Sequence, residues 1–163
     1  MGGKILHDKE RAAILNSMDT AGIFVTCGRQ TPNVMVTHNG MLGKMWGRDV
    51  FALPVKSTKY SYQIITQTKS FALNIPLRDM RDEIARCDIL SGFKCNKFEE
   101  LGLHVKRARS IDAYVLGNHY IIAECKLIAI IPPDGISPQT DGLITSDRAH
   151  TLFVGEIVDC YTV

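Results

Sequence analysis

The chain has 163 residues, 45% of them hydrophobic and 22% charged, with a net charge of +2; this is the balance of one folded domain with a real core. No apolar run approaches the ~20 residues a bilayer crossing needs, since the longest, YIIAECKLIAIIPP, carries Glu124 and Lys126. The weak, dispersed charge argues against a nucleic-acid partner, and its one local cluster, Lys106, Arg107 and Arg109, reads as a solvated strand or loop edge.

In chain order, MGGKILHDKERAAIL is interrupted by His7, Asp8, Lys9, Glu10 and Arg11, which argues against a secretory signal. Leu6 stands where a myristoylation signal on Gly2 prefers Ser or Thr. Residues 8–18 predict a short helix begun by Asp8, with Ala12, Ile14 and Leu15 as its apolar side. IFVTCG, closing on Gly28, predicts a strand; QTPN is a turn; VMVTHNGML and DVFALPV are further strands around a glycine-rich connection. A helix is expected at about 58–68, then the strand SFALNIP ending at Pro76. RDMRDEIARCDIL is helical by the spacing of Met80, Ile84 and Cys87, with Asp79 as a cap. NKFEELGL carries Asn96 three residues before Glu99, and Gly102 where a left-handed C-terminal residue belongs. From 103 onward HVKRA, AYVLG, HYIIAECKLIAII and HTLFVGEIVDCYT predict strands, with a polar loop over 132–149. Six or seven strands that do not alternate with helices predict a mainly β, α+β chain in one domain spanning 1–163, with about three short helices.

The five cysteines, Cys27, Cys87, Cys95, Cys125 and Cys160, are odd in number and contain no CxxC pair. They predict neither a disulfide framework nor a zinc site, and point to a reducing, cytoplasmic setting. Cys125 and Cys160 read as small buried hydrophobes, whereas Cys95, in the basic setting SGFKCNKF, is the best candidate for a reactive thiol. No Walker loop, dinucleotide GxGxxG, GxSxG or HExxH occurs. His7, His38, His104, His119 and His150 show no metal-ligand spacing, so no metal is expected.

That leaves VKSTKYSYQII. Lys56, Ser57, Thr58, Lys59 and Ser61 concentrate hydroxyls and positive charge where a strand hands over to a helix. A helix N-terminus exposes unpaired N–H groups and partial positive charge, which together suit a terminal phosphate monoester. The alternative is a simple N-cap at Ser57 or Thr58 with solvated lysines, and composition does not choose between them.

Five segments together resemble the flavin reductase-like, FMN-binding split-barrel family, of flavoredoxin or NAD(P)H:flavin oxidoreductase type. NVMVTHNG is similar to the family's Asn-x-Met-Thr strand, VKSTKYSYQII to its phosphate turn, and SFALNIP to Phe-x-Val-Asn-x-Pro. SGFKCNKF resembles Ser-Gly-Arg-x-x-Asp-Lys-Phe, and HTLFVGEI resembles His-x-Leu-x-x-Gly-Glu-Val. The resemblance implies an antiparallel split barrel, a homodimer, and FMN near the dimer interface. It also implies that Thr58, Lys59 and Ser61 hold the phosphate, with Lys56 and Ser57 beside them. Asn33, Met35 and Thr37 would run past the isoalloxazine edge, while Asn74, Ser91, Gly92 and Lys97 complete the site. Taken alone, Asn74 could instead be a strand-end turn former and Lys97 an ordinary first-turn helix lysine. His150 would lie near the face where a nicotinamide stacks.

The chain departs from the family pattern at Val36 for Thr, Asn39 for an aromatic, Ser57 for Pro, Lys59 for Arg, and Ala149 for the Asp before the late histidine. Trp46 could supply a missing aromatic wall, but core is the favoured reading. The expected function is hydride transfer from NAD(P)H to flavin. The alternatives are a flavoredoxin-like FMN electron carrier reduced by a protein partner, and a flavin-free split-barrel binding module.

Overall fold

A computed structural model describes residues 5–145, 147 and 149–163. Gly2, and Ser146 and Arg148 of the 132–149 loop, lie outside the described residues. The elements run α1 (Asp8–Asp19), β1 (Ile23–Cys27), β2 (Asn33–Thr37), β3 (Met41–Met45), β4 (Arg48–Val55), α2 (Tyr60–Thr68), β5 (Ser70–Pro76), α3 (Arg81–Ile89), α4 (Lys97–Glu100), β6 (Val105–Arg107), β7 (Tyr114–Leu116), β8 (Tyr120–Ile131) and β9 (Thr151–Thr162).

Seven strands form one antiparallel sheet in the order β2-β1-β5-β8-β9-β4-β3, with β6 and β7 as a separate ribbon. Strand alternation sends every second side chain to one face. Val25 of β1, Leu73 of β5, Ala123 of β8, Phe153 of β9 and Leu53 of β4 all meet in one core. That the sheet's distant strands share a core means the sheet curls around it. The twelve-residue strands β8 and β9 bend through register shifts at Glu124/Cys125 and Leu127/Ala129, as bulges require. The outer strands β2 and β3 are not joined, so the result is a split barrel rather than a closed one.

The opposite face carries Phe24, Ala72 and Ile122, and is covered by Met80, Ile84 and Cys87 around α3, Phe98 of α4, and the β6–β7 ribbon. Both faces of β1 are therefore buried, which is why IFVTC shows no regular apolar–polar alternation. On this outer face Glu124 is fully buried, and its carboxylate accepts from Arg109 N at 2.7 Å, Ser110 N at 2.6 Å and the Tyr161 hydroxyl at 2.5 Å. The Arg109 guanidinium lies 3.6 Å above the Tyr161 ring.

Several expectations are corrected here. VMVTHNGML is two strands: β2 stops at Thr37, and β3 begins at Met41. Among the described residues nine strands and four α-helices form, against six or seven strands and about three helices. Trp46 is not core: it is 75% exposed, with φ +50° beside Gly47 at φ +74°. These two residues are the tip of the β3–β4 hairpin, whose last pair is Met45 with Arg48, and a two-residue turn with both φ positive has no core beneath it. Cys160 is only half-buried, although Cys125 is fully so. The N-cap of α1 is His7, whose backbone N donates to Glu10.

Candidate anion-binding site

The stretch after β4 turns sharply: Lys59 N donates to Lys56 O at 3.0 Å, and α2 begins at Tyr60 with Lys59 as its N-cap. The Lys59 N-cap makes no side-chain cap, neither Ser57 nor Thr58 being the N-cap, and Tyr62 N donates to Lys59 O at 3.1 Å. The helix thus presents an N-terminus without a side-chain cap and with a positive dipole end. Around it lies a cleft of about 70 Å³ lined by Asn33, Met35, Thr58, Lys59, Ser61 and Lys97, together with the 90–93 segment and Tyr60.

Lys97 is the decisive side chain. It opens α4, is only 6% exposed, and lines the cleft. Among the described residues neither Lys97 nor Lys59 pairs with a carboxylate. A buried ammonium without a counter-ion is costly, so this amine is placed to meet an anion that enters the cleft. Two ties hold its platform. Asn96 Oδ1 accepts from Phe98 N at 3.1 Å and caps α4, and Arg86 of α3 donates to Glu100 O at 3.0 Å.

Hydroxyls face the same space. Ser61 is fully buried and accepts from Asn33 Nδ2 at 2.9 Å. Ser91 Oγ accepts from Phe93 N at 3.3 Å, and Ser91 O accepts from Lys94 N and Cys95 N, which winds residues 91–95 into a tight turn. Gly92 is required there: a Cβ would stand 2.5 Å from Asn33 Oδ1 and 2.6 Å from Tyr60 Cδ1. Burial pushes the Cys27 thiol up to about 12, against the lowering influence of Ser61 and the Lys97 charge. Burial also raises Cys87, with Lys97 opposing. Both thiols stay protonated and neutralise neither lysine.

The structure therefore brings together Asn33, Met35, Thr58, Lys59, Ser61, Ser91, Gly92 and Lys97. Lys56 and Ser57 sit in the turn immediately before, half-buried and exposed respectively. Thr37, at the far end of β2, bonds with Asn39 instead. Asn74 is not among the cleft residues: its amide donates to Thr26 Oγ1 at 2.9 Å and Phe24 O at 3.3 Å, and its carbonyl accepts from Leu116 N at 2.8 Å. It joins β5 to β1 and β7. His150 lines a separate, mainly apolar pocket with Pro54, Pro133, Ile136, Ile144 and Leu152. Cys95 is half-buried, with its thiol against Ser91 O. Sequence reasoning passed over Tyr60 and Phe93, whose rings pair at 4.8 Å beside the cleft; their adjacency to Lys59 and Gly92 in the two quoted motifs was the available signal.

Comparison with known proteins follows the same lines. A protein of Archaeoglobus fulgidus with no described function is 23% identical over 134 residues, covering 82% of this chain and 67% of that protein. The flavoredoxin of Desulfovibrio vulgaris (Miyazaki F) superposes with a TM-score of 0.71 at 25% identity, over 88% of this chain and 70% of that one. The NADH:FAD oxidoreductase of Streptomyces globisporus has the same fold, with a TM-score of 0.67 at 14% identity, over 100% of this chain and 89% of that one. Residues 17–163 match the family described as flavin reductase like domain. Since that match takes in nearly the whole chain, the protein belongs to the flavin reductase-like domain family.

Proposed function

We propose that this chain binds FMN through its phosphate in the cleft at the start of α2 and passes a hydride from NAD(P)H to that flavin. The observation that carries the proposal is Lys97, a buried ammonium lining the cleft with no carboxylate partner among the described residues. A phosphate dianion supplies the missing charge, and the α2 N-terminus, Thr58, Lys59, Ser61 and Ser91 supply directional donors. Lys56 and Ser57 flank them in the turn. The residues present thus fit the phosphate end of FMN.

The ring end is served by β2. It ends the sheet, paired there with β1, and its backbone along Asn33, Met35 and Thr37 would run past the flavin's polar edge. Asn74 contributes indirectly, by fixing β5 and β7 behind that edge. When bound, the flavin supplies the two-electron chemistry and the protein supplies orientation. The chain's task is to hold the phosphate, keep the ring against β2 and leave one face open to a nicotinamide within about 3–3.5 Å. Membership of the family supports this proposal.

A homodimer and a cytoplasmic setting belong to the same proposal. The exposed Met41, Met45 and Trp46 of the β3–β4 hairpin suit a surface covered by a second copy. Among the described residues no helix is long and apolar enough to cross a membrane.

A flavoredoxin-like electron carrier, reduced by a protein partner, is the second reading. Ala149, where the family commonly has Asp, and the position of His150 in a pocket apart from the cleft favour it. Anaerobic mixing of the FMN-loaded protein with NADH or NADPH separates the two. The reductase bleaches the flavin's visible band at roughly 1 s⁻¹ or faster, whereas a carrier holds FMN and keeps its colour until a reduced protein partner is added. A protein that takes up no FMN removes both readings and leaves a flavin-free binding module.

A further inference from the structure

We propose that Asn33 is a positioning residue that fixes the Ser61 hydroxyl as a hydrogen-bond donor toward the cleft, so that the site selects a phosphate ester over its neutral alcohol. This inference rests on the FMN reading above and gives it a basis for discrimination.

A serine hydroxyl has one proton and two lone pairs. Asn33 Nδ2 donates to Ser61 Oγ at 2.9 Å, with both side chains buried. One lone pair is thereby occupied, and the single O–H proton is left for another partner. Ser61 also meets the buried Cys27 thiol, whose own proton points to Asn33 O at 3.9 Å; its neutral sulfur is a weak acceptor that a phosphate oxygen outcompetes for the Ser61 proton. Ser91 repeats the arrangement: its Oγ accepts from Phe93 N at 3.3 Å, and its proton remains to be given. Both serines lining the cleft therefore offer donors.

A phosphate dianion brings acceptors only, which matches this polarity. The hydroxyl that ends riboflavin brings one proton of its own and no charge, and so it gains little from Lys59 and Lys97. Asn33 is held in its orientation by the 91–95 turn. The absence of a side chain at Gly92 lets the backbone press against the carboxamide, since a Cβ would come within 2.5 Å of Oδ1 and 2.8 Å of Cγ. The carboxamide oxygen faces the turn and the amide nitrogen faces Ser61.

The test is a double-mutant cycle read as the ratio of FMN to riboflavin affinity. Asn33→Ala and Ser61→Ala are each expected to weaken FMN binding about tenfold, the value of one hydrogen bond to a charged group, and riboflavin binding by less, so that the FMN-to-riboflavin ratio falls. If Asn33 acts through Ser61, the double variant is about as weak as either single one. Asn33→Asp keeps the shape but replaces the donor by an acceptor. It decides the matter should the alanine variant fail to fold, and is expected to cost about 100-fold for FMN and less for riboflavin. An unchanged FMN-to-riboflavin ratio, or alanine losses that multiply, overturns the role of Asn33 while FMN uptake by the wild type leaves the proposed function standing. A wild-type protein that takes up no FMN overturns both.

Discussion

Replacing Lys97 by methionine weakens FMN binding by about 30-fold and, in the ligand-free protein, raises thermal stability. The two effects have one cause. The ammonium is 6% exposed and has no carboxylate partner among the described residues, so the free protein bears the cost of a desolvated charge. Methionine fills a similar volume without that charge, a gain of about 1 kcal/mol or more and a rise of roughly 2–4 °C in melting temperature for a domain of this size. The bound state loses a charge-assisted hydrogen bond worth about 2 kcal/mol, which converts to the stated factor. Calorimetric melting of the apoprotein and FMN titration check the pair. A merely structural lysine gives lower stability with unchanged affinity. A solvated lysine moves neither.

The largest stability loss is expected on the other side of the sheet. Glu124→Ala removes a fully buried carboxylate on which Arg109 N, Ser110 N and the Tyr161 hydroxyl converge. Alanine leaves two backbone donors and one hydroxyl without a partner, at about 1 kcal/mol or more each, and unties the loop between β6 and β7. A loss of about 3 kcal/mol corresponds to roughly 6–12 °C in melting temperature. Glu124→Gln keeps one acceptor oxygen but turns an NH₂ toward a donor, so it falls between alanine and wild type. FMN affinity of the folded variants stays within about twofold, because no cleft residue touches Glu124. A melting temperature within a degree of wild type for Glu124→Ala would contradict this account of the outer face.

Much of the fold is legible because local chemistry and global position agree. NKFEELGL announces a capped helix, and Asn96 does accept from Phe98 N and Glu99 N while Gly102 takes φ +63°. IFVTC is buried at every position because both faces of β1 are covered. Legibility fails where a residue's type and its place disagree. Trp46 looks like core by composition, but a two-residue turn needs two left-handed positions between Met45 and Arg48, and Trp46 occupies the first. VMVTHNGML looks continuous, but the Thr37 hydroxyl bonds Asn39 and closes β2 with a turn.

At the site, the motif around Lys56–Ser61 marked the place, since charge and hydroxyls cluster there in sequence. What the sequence could not express is burial and direction. Lys97 is one lysine among many until α4 buries it against the cleft, and Asn74 is an amide in a family motif until its hydrogen bonds are seen to run to Thr26, Phe24 and Leu116. The link from Asn33 to Ser61 spans 28 positions and crosses from strand to helix, so no local pattern could reveal it.

The measurement that bears most directly on the central claim is parallel titration of the wild-type apoprotein with FMN and with riboflavin at equal pH and low ionic strength. The two ligands share a ring and differ only in the phosphate, so their ratio isolates the cleft. The account predicts saturable FMN binding at least about 100-fold tighter than riboflavin, from two lysines and several donors acting on one dianion. Equal affinities, or no uptake of FMN at micromolar concentration, would contradict it.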